Sequence, residues 1–410
     1  MSSQSVASTS TSTRKKILIL GSNFAGLTAA VELKKKLGDA HDITVVARDE
    51  DFLFMPSLIW LPFGKREKKD ITFPLAPIYK DKQIDFKIAR ATRIDPRAQS
   101  VDTDEGQLAY DYLVIATGPV NNWSAVPGLG PVEGHTHSIF GLADAEKTKV
   151  TLDEFWQNPG PVVIGAVQGA GCFGAAYEFL LNFNHQLKKR GLREKVSLTY
   201  VTAEPFLGHF GIGGFGMGQK MVEMFFKKEG IQAITNVAVK EVRKNEMVLS
   251  NGETLPFVFS MMAPSFLGTP AVRELTEMTN PAGFVNIKNT YQTEVYPNVY
   301  AAGVAIHLPP PAPTEIACGV PKTGYLSEEM AKVVAHNIVA DIRGEKLLEL
   351  APGSIDAKCV LDAGDSGIIM TSDALLEPRD HAWLIPGPEA HWAKLAFEKY
   401  FITTRKHGWI

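Results

Sequence analysis

Two stretches of the chain repeat one pattern: an apolar run, a glycine-rich turn, then a segment with helical spacing. The first is KKILILGSNFAGLTAAVELKKKLG, residues 15–38, and the second is GPVVIGAVQGAGCFGAAYEFLLNFNHQLKKRG, residues 160–191. A strand that feeds a helix through so tight a turn constrains the fold strongly. The helix carries the chain back over the sheet, so the next strand runs parallel to the first. Each stretch is followed by another apolar run, HDITVVARDE (41–50) and VSLTYVTAEP (196–205), which completes a β-α-β unit. The chain is therefore expected to be an α/β protein with two Rossmann-like dinucleotide-binding domains. YDYLVIATGP (110–119) and YPNVYAAGVA (296–305) are further strands that end in glycine. The second unit lies between them, so the second domain is expected to be inserted in the first.

In the first unit Gly21, Asn23 and Gly26 hold the positions of the G-x-G-x-x-G pattern. Gly21 lets the chain turn where a Cβ would clash, and Gly26 lets helix and strand approach closely. The helix N-terminus then offers N–H groups and a positive dipole end to a pyrophosphate. Asn23 tolerates unusual backbone angles, but its side chain narrows that approach. Gly21, Ala25 and Gly26 are the expected backbone contacts. A ribose-binding acid is expected about twenty residues past the turn. The strand ends Val46-Ala47-Arg48-Asp49, so Arg48 or Asp49 takes over, or the backbone holds the ribose. Thr117 and Gly118 stand at one strand end, Gly303 and Val304 at another.

The second turn is altered, with Cys172 where the loop enters its helix. A helix N-terminus favours a thiolate, so this thiol is expected to have a lowered pKa. The three cysteines, Cys172, Cys318 and Cys359, are too few for a disulfide scaffold, and their spacing fits no zinc motif. No metal site is expected. The formal net charge of −3 gives no nucleic-acid footprint. No apolar run reaches the ~18–20 residues of a membrane-spanning helix. The Ser/Thr-rich start, MSSQSVASTSTSTRKK, lacks the apolar segment of a secretory signal and reads as a disordered tail over 1–14.

Further segments carry a more specific signal: VVIGAVQGAGCFGAAYEF, PFLGHFGIGGFG, GVPKTGYLSEEM, KCVLDAGDSGIIM and WAKLAFEKYFI. With them the chain, from about Lys15 to its end, resembles the sulfide:quinone oxidoreductases. The resemblance implies FAD bound without a covalent link by residues 15–150 and 281–345. It implies a second Rossmann-like domain over 151–280 that holds no NAD, and a C-terminal region, 346–410, with a redox cysteine and a quinone- and membrane-facing helix. Cys172 and Cys359 match the family's redox pair. Sulfide attacks a bridge between them, is oxidised to polysulfide or sulfur, and the electrons pass to membrane quinone. Glu178 and His209 match acid/base positions. Six residues of helix turn Glu178 about 120° away from the direction of Cys172, which leaves a structural role open. Lys322 matches a position facing the flavin. Phe397 matches one wall of the quinone pocket, and Trp409 is a candidate for the other.

Some features depart from the family. Phe140 stands where many members carry a third cysteine, Asp144 where such members have a histidine, and Cys318 is an extra thiol. The stretch EAHWAKLAFEKYFITTRKHGWI (389–410) places Trp392, Leu395, Ala396 and Tyr400 on one helical face. Lys394, Lys399, Arg405 and Lys406 suit anionic headgroups. The expected partners are sulfide, quinone and a membrane surface, held peripherally as a monotopic protein, with homo-oligomerisation open. The competing reading of the helix is a core element. Competing readings of the chain are a type II NADH:quinone oxidoreductase-like enzyme, the flavoprotein subunit of a flavocytochrome sulfide dehydrogenase, and a non-enzymatic flavin or sulfur carrier.

Overall fold

The computed structural model describes residues 14–410. The tail expected at 1–14 lies outside them except for Arg14, which is not loose. Its guanidinium bonds the Asp42 carboxylate at 2.7 Å and the Asp39 carbonyl at 2.8 Å.

Strand β1 (Lys16–Leu20) turns at Gly21 into helix α1 (Phe24–Leu37) and returns as β2 (Asp42–Ala47), parallel to β1 with Leu20 opposite Val46. Strand β3 (Asp85–Ile88) lies outside β2, and β4 (Tyr112–Ile115) lies on the other side of β1. Helix α2 (Leu142–Phe155) leads into a second sheet of the same kind. Its elements are β5 (Val162–Ala166), α3 (Phe173–Lys189), β6 (Leu198–Thr202), α4 (Gly218–Glu229), β7 (Gln232–Ile234) and β8 (Phe259–Ala263). The chain then rejoins the first sheet through β9 (Val299–Ala301), parallel to β4. The orders are β9-β4-β1-β2-β3 and β7-β6-β5-β8. Both sheets are parallel, so helices cover both faces and the central strands read as unbroken apolar runs; every residue of β5 and β8 is buried.

Helix α5 (Gly324–Arg343) packs along α1. After it comes an antiparallel sheet with no counterpart in the sequence reading: β10 (Ala357–Asp362), β11 (Gly367–Ser372) and β12 (Ala382–Gly387). It carries Cys359. Helix α6 (Pro388–Lys406) closes the fold against this sheet.

Helix α6 is amphipathic, and the competing reading, in which its apolar face packs into the core, does not hold. Its buried face is Ala390, Lys394, Glu398, Phe401 and Arg405. Trp392 and Tyr400 face outward, 67% and 62% exposed. The reason is electrostatic: each buried charge meets an opposite charge from the body. Lys394 pairs with Glu178, Glu398 with Arg66, and Arg405 with Glu328. Lys394 and Arg405 are thus withdrawn from the headgroup-binding role expected of them, while Lys399 and Lys406 remain outside.

Candidate active site

The first glycine turn is built to bring backbone close to a ligand. Gly21 has φ +101°, and a Cβ there would lie 2.2 Å from the Ala116 carbonyl oxygen. At Gly26 a Cβ would lie 2.0 Å from the Gly21 oxygen. Asn23 does not need the unusual backbone angles allowed for it. It caps α1 in an extended conformation, its Oδ1 accepting from the Phe24 amide at 2.8 Å and its Nδ2 donating to the Leu53 carbonyl at 3.1 Å. Its side chain is thereby turned toward the protein. Ala25 is buried in the first turn of α1, and a Cβ on Gly303 would come within 3.1 Å of it. Thr117, Gly118 and Val304 follow the ends of β4 and β9. Arg48 and Asp49 bond one another at 2.8 Å on the exposed edge after β2.

Lys322 stands apart. Its ammonium donates to the Ile306 carbonyl at 2.7 Å and lies 4.4 Å from the Phe284 ring centroid, with no carboxylate partner among the described residues. Burial lowers its pKa to about 8. An anionic group beside it would supply the missing charge.

Cys172 caps the N-terminus of α3, as its place in the turn predicts. Its pKa is nevertheless raised, against expectation. Burial is the largest cause and the Glu178 carboxyl adds to it, while the Ala175 and Gly174 amides only partly offset them. Cys359, half-buried on β10, is pushed up to about 12 by burial, then by Glu178 and Cys172. The two thiols are free, and both feel the charges of Glu178 and Lys394. Cys318 is buried elsewhere, with its Sγ 3.6 Å from the Ala203 and Ile316 carbonyls, and burial raises its pKa to about 11.

Helical rotation alone points Glu178 away from Cys172. The fold brings its charge to both thiols by laying β10 across α3. Its Oε1 accepts from the Asp362 amide at 3.0 Å and pairs with Lys394, and burial raises its pKa. The Asp362 carboxylate is fully buried and accepts from Trp60 Nε1 at 2.7 Å. His391 Nδ1 lies 2.5 Å from its other oxygen. A carboxylate only accepts, so this nitrogen carries the hydrogen. Lys65 lies 3.9 Å from Asp362 and bonds Asn182 Oδ1 at 3.3 Å. Sequence reasoning missed Trp60, Lys65, Asp362, His391 and the inward role of Lys394. They come from distant segments, and the sole local signal is the Lys394, Glu398, Arg405 series on α6, at spacings of four and seven residues.

His209 is buried in the loop after β6, where its Nδ1 accepts from the Gly211 amide at 3.2 Å. An accepting Nδ1 marks a neutral ring, and burial lowers its pKa. No hydrogen bond joins it to either thiol among the described residues. Phe140 packs edge-on to Phe266 at 5.8 Å between centroids, and Phe266 in turn covers Gly171. Asp144 is half-buried in the first turn of α2, and burial raises its pKa.

The second glycine turn has lost its open face. Gly169 N–H donates to the Ala317 carbonyl at 2.6 Å, and the segment 317–319 lies against Ala170. Glu204 stands just past β6, where a nicotinamide-binding unit places its ribose acid. Here it is fully buried, accepting from the Phe210 amide at 2.7 Å, Thr202 Oγ1 at 2.8 Å and Tyr177 Oη at 3.0 Å.

An apolar cavity of about 360 Å³ lies between α3, α4 and the antiparallel sheet. Tyr177, Phe210, Met221, Phe226, Leu361 and Met370 line it. Met370 is the cross-strand partner of Cys359, and Leu361 shares its face of β10, so the cavity borders this cysteine. On the far face of α6, Phe397 is 44% exposed and its ring centroid lies 5.9 Å from those of Phe54 and Phe401. Trp409, weighed as a facing wall, stacks on His407 at 5.1 Å and makes no ring contact with Phe397.

A family model for the pyridine nucleotide-disulphide oxidoreductases matches residues 15–319. The chain is 40% identical to a sulfide-quinone reductase of Aquifex aeolicus (strain VF5) over 401 residues, 96% of this chain and 92% of the relative. The X-ray structure of the sulfide:quinone oxidoreductase from Aquifex aeolicus matches with a TM-score of 0.91 and 39% identity, covering 96% of this chain and 92% of that one. A type II NADH:quinone oxidoreductase of Staphylococcus epidermidis (strain ATCC 12228 / FDA PCI 1200) is 25% identical over 383 residues, 88% of this chain and 91% of the relative.

Proposed function

The chain belongs to the sulfide:quinone oxidoreductase family, and from that premise we propose how its own residues carry FAD-dependent oxidation of sulfide with quinone as acceptor. FAD, when bound, supplies a two-electron acceptor that hands electrons on to quinone. The first turn fits it: Gly21, Asn23, Ala25 and Gly26 would hold the pyrophosphate, with Thr117, Gly118, Gly303 and Val304 at the strand ends. Lys322 would set its charge against the isoalloxazine, and Arg48 with Asp49 would meet the ribose edge.

Cys172 and Cys359 are the proposed redox pair. Hydrosulfide sulfur bonds to one cysteine of a bridge between them, the bridge breaks, and the other cysteine leaves with the bonding pair as thiolate. The sulfide sulfur stays behind as a persulfide. Glu178 is the proposed acid/base group at this site, since its charge acts on both thiols and burial raises its pKa. His209 is assigned to holding the loop after β6, through the Gly211 amide. The cavity beside Cys359 gives an apolar sulfur chain room out of water, against polarizable methionine and aromatic side chains. A nicotinamide dinucleotide suits the second unit poorly, because its turn is covered and its acid is already bonded.

Among the described residues no helix is long and apolar enough to cross a membrane. Trp383, Ile385, Trp392 and Tyr400 are the proposed face that lies on the membrane surface, and Phe397 the quinone-binding aromatic. The observation that carries the reading is that one buried Glu178–Lys394 pair acts on both Cys172 and Cys359. Anaerobic titration with sulfide, followed by flavin absorbance, tests it. Sulfide should bleach the flavin and NADH should not. Cys172→Ser and Cys359→Ser should sharply impair bleaching, and Cys318→Ser should leave it intact. Bleaching by NADH alone would favour the type II NADH dehydrogenase reading.

A further inference from the structure

The charges beside the two thiols balance only while both thiols are neutral. Glu178 and Asp362 can bring two negative charges, and Lys394 and Lys65 bring two positive ones. On the reading above, hydrosulfide and a Cys172–Cys359 disulfide become a persulfide on one cysteine and a thiolate on the other. The proton of the hydrosulfide stays on the persulfide, so one negative charge enters and remains. An uncompensated charge in such a site is strongly disfavoured.

Besides Glu178, one group that reaches solvent is placed to answer it. His391 donates to Asp362 from Nδ1, and its side chain is 17% exposed, so the imidazole bridges a fully buried carboxylate and solvent. Imidazole is a side chain that can take up a proton from solvent at its ring nitrogen. Lys394 follows one turn along α6 and serves two carboxylates. It contacts Glu178, and its charge also helps hold the Asp362 carboxyl low against burial. A protonated His391 takes over Asp362 and leaves the Lys394 charge to Glu178 and the thiols.

We propose that His391 is the charge-compensating residue of the redox site, binding one solvent proton when a thiolate forms at Cys172 or Cys359. It acts through Asp362 and Lys394 and is therefore a positioning residue. The assignment of that thiolate to catalysis rests on the proposed function; the charge coupling belongs to the reduced chain itself. The other charged groups at this cluster are Lys65 and Arg66 from the segment between β2 and β3, Glu178, His185 and Lys189 from α3, Asp365 from the β10–β11 turn, and Lys394 on α6. His185 is the rival imidazole, but its ion-pair partner is Asp365 at 3.5 Å, and Asp362 acts on it only as a weaker charge.

The test is the alkylation of reduced, flavin-loaded protein by iodoacetamide from about pH 5.5 to about 9, read by peptide mass spectrometry. Cys318, outside the cluster, serves as internal reference. His391→Asn keeps a donor toward Asp362 but cannot take a charge. It should slow alkylation of the faster of Cys172 and Cys359, relative to Cys318, by about tenfold at neutral pH, one unit of thiol pKa. His391→Lys, a fixed cation, should restore the rate and flatten its dependence on pH, while His185→Asn should change nothing. A His391→Asn profile that overlays the wild type overturns the proposal. If asparagine loosens α6, faster Cys318 alkylation reveals it, and the lysine variant decides: alkylation slower than wild type also overturns the proposal. If the shift appears but sulfide fails to bleach the flavin, the coupling stands and the redox reading falls.

Discussion

Glu204 offers the sharpest check on how the second unit was turned away from nucleotide binding. Its carboxyl is fully buried, and burial raises its pKa from 4.5 to about 7 even though Phe210, Thr202 and Tyr177 all donate to it. The folded chain therefore binds this proton more tightly than the unfolded chain. The stability it contributes is complete below pH 4.5 and is lost as pH rises through about 7. A shift of this size corresponds to about 3 kcal/mol. Glu204→Gln removes the titration but keeps the shape. Its amide oxygen accepts from Phe210, and the Thr202 and Tyr177 hydroxyls can reverse to accept from its NH₂. Urea unfolding of the flavin-loaded protein at several pH values from about 5 to about 8 measures the difference. Other groups titrate in this range, so the quantity to read is the variant minus the wild type. The two should nearly coincide near pH 5, and the variant should gain about 3 kcal/mol on the wild type by pH 8. Parallel curves would refute the assignment of a protonated, internally bonded acid at this position.

Three further outcomes are expected. Gly21→Ala, which forces a Cβ to 2.2 Å from the Ala116 oxygen at φ +101°, should yield protein largely free of flavin, read as the flavin-to-protein absorbance ratio. Lys394→Met strands the Glu178 carboxylate and should cost about 3–5 kcal/mol, much of which Glu178→Gln in the same chain should recover; additive losses in the double-mutant cycle would count against the pair. Phe397→Ala should raise the KM for quinone by roughly tenfold, one aromatic contact's worth, while sulfide still reduces the flavin at the wild-type rate in stopped flow.

Local pattern was a good guide to the parallel sheets and a poor one to the site. Ile17–Leu20 and Val162–Ala166 announce buried parallel strands because a strand covered on both faces has no polar alternation. Gly21 and Gly26 are legible because the turn geometry excludes a Cβ. The position of Cys172 at a helix start was equally legible, but its pKa was not. The helix end lowers a thiol pKa only where it outweighs burial, and burial depends on β10 and α6, which begin 185 (357 − 172) and 216 (388 − 172) residues on. Glu178 shows the same limit. Rotation about its own helix placed it away from Cys172, yet Asp362 and Lys394 from other segments fix its carboxyl where it acts on both thiols.

Helix α6 shows why such misreadings carry information about function. An apolar stripe on a helix is normally read as the buried face, and Trp392, Leu395, Ala396 and Tyr400 form one. Lys394 and Arg405 were expected at headgroups, and together with Glu398 they would pass for a solvated face. Both assignments fail where the body already holds buried charges, because Glu178, Arg66 and Glu328 can be neutralised only by opposite charges brought to them. Once those pairs form, Trp392 and Tyr400 of the stripe are left outward, exposed like Trp383 and Ile385 of β12, while Leu395 keeps partial contact with the core. One of these ion pairs, Lys394–Glu178, acts on Cys172 and Cys359 and is thus also one of the contacts that turn Trp392, Phe397 and Tyr400 toward the proposed membrane and quinone. Weakening the Lys394–Glu178 pair should therefore disturb thiol chemistry and quinone affinity together, whereas Phe397→Ala should touch the second alone.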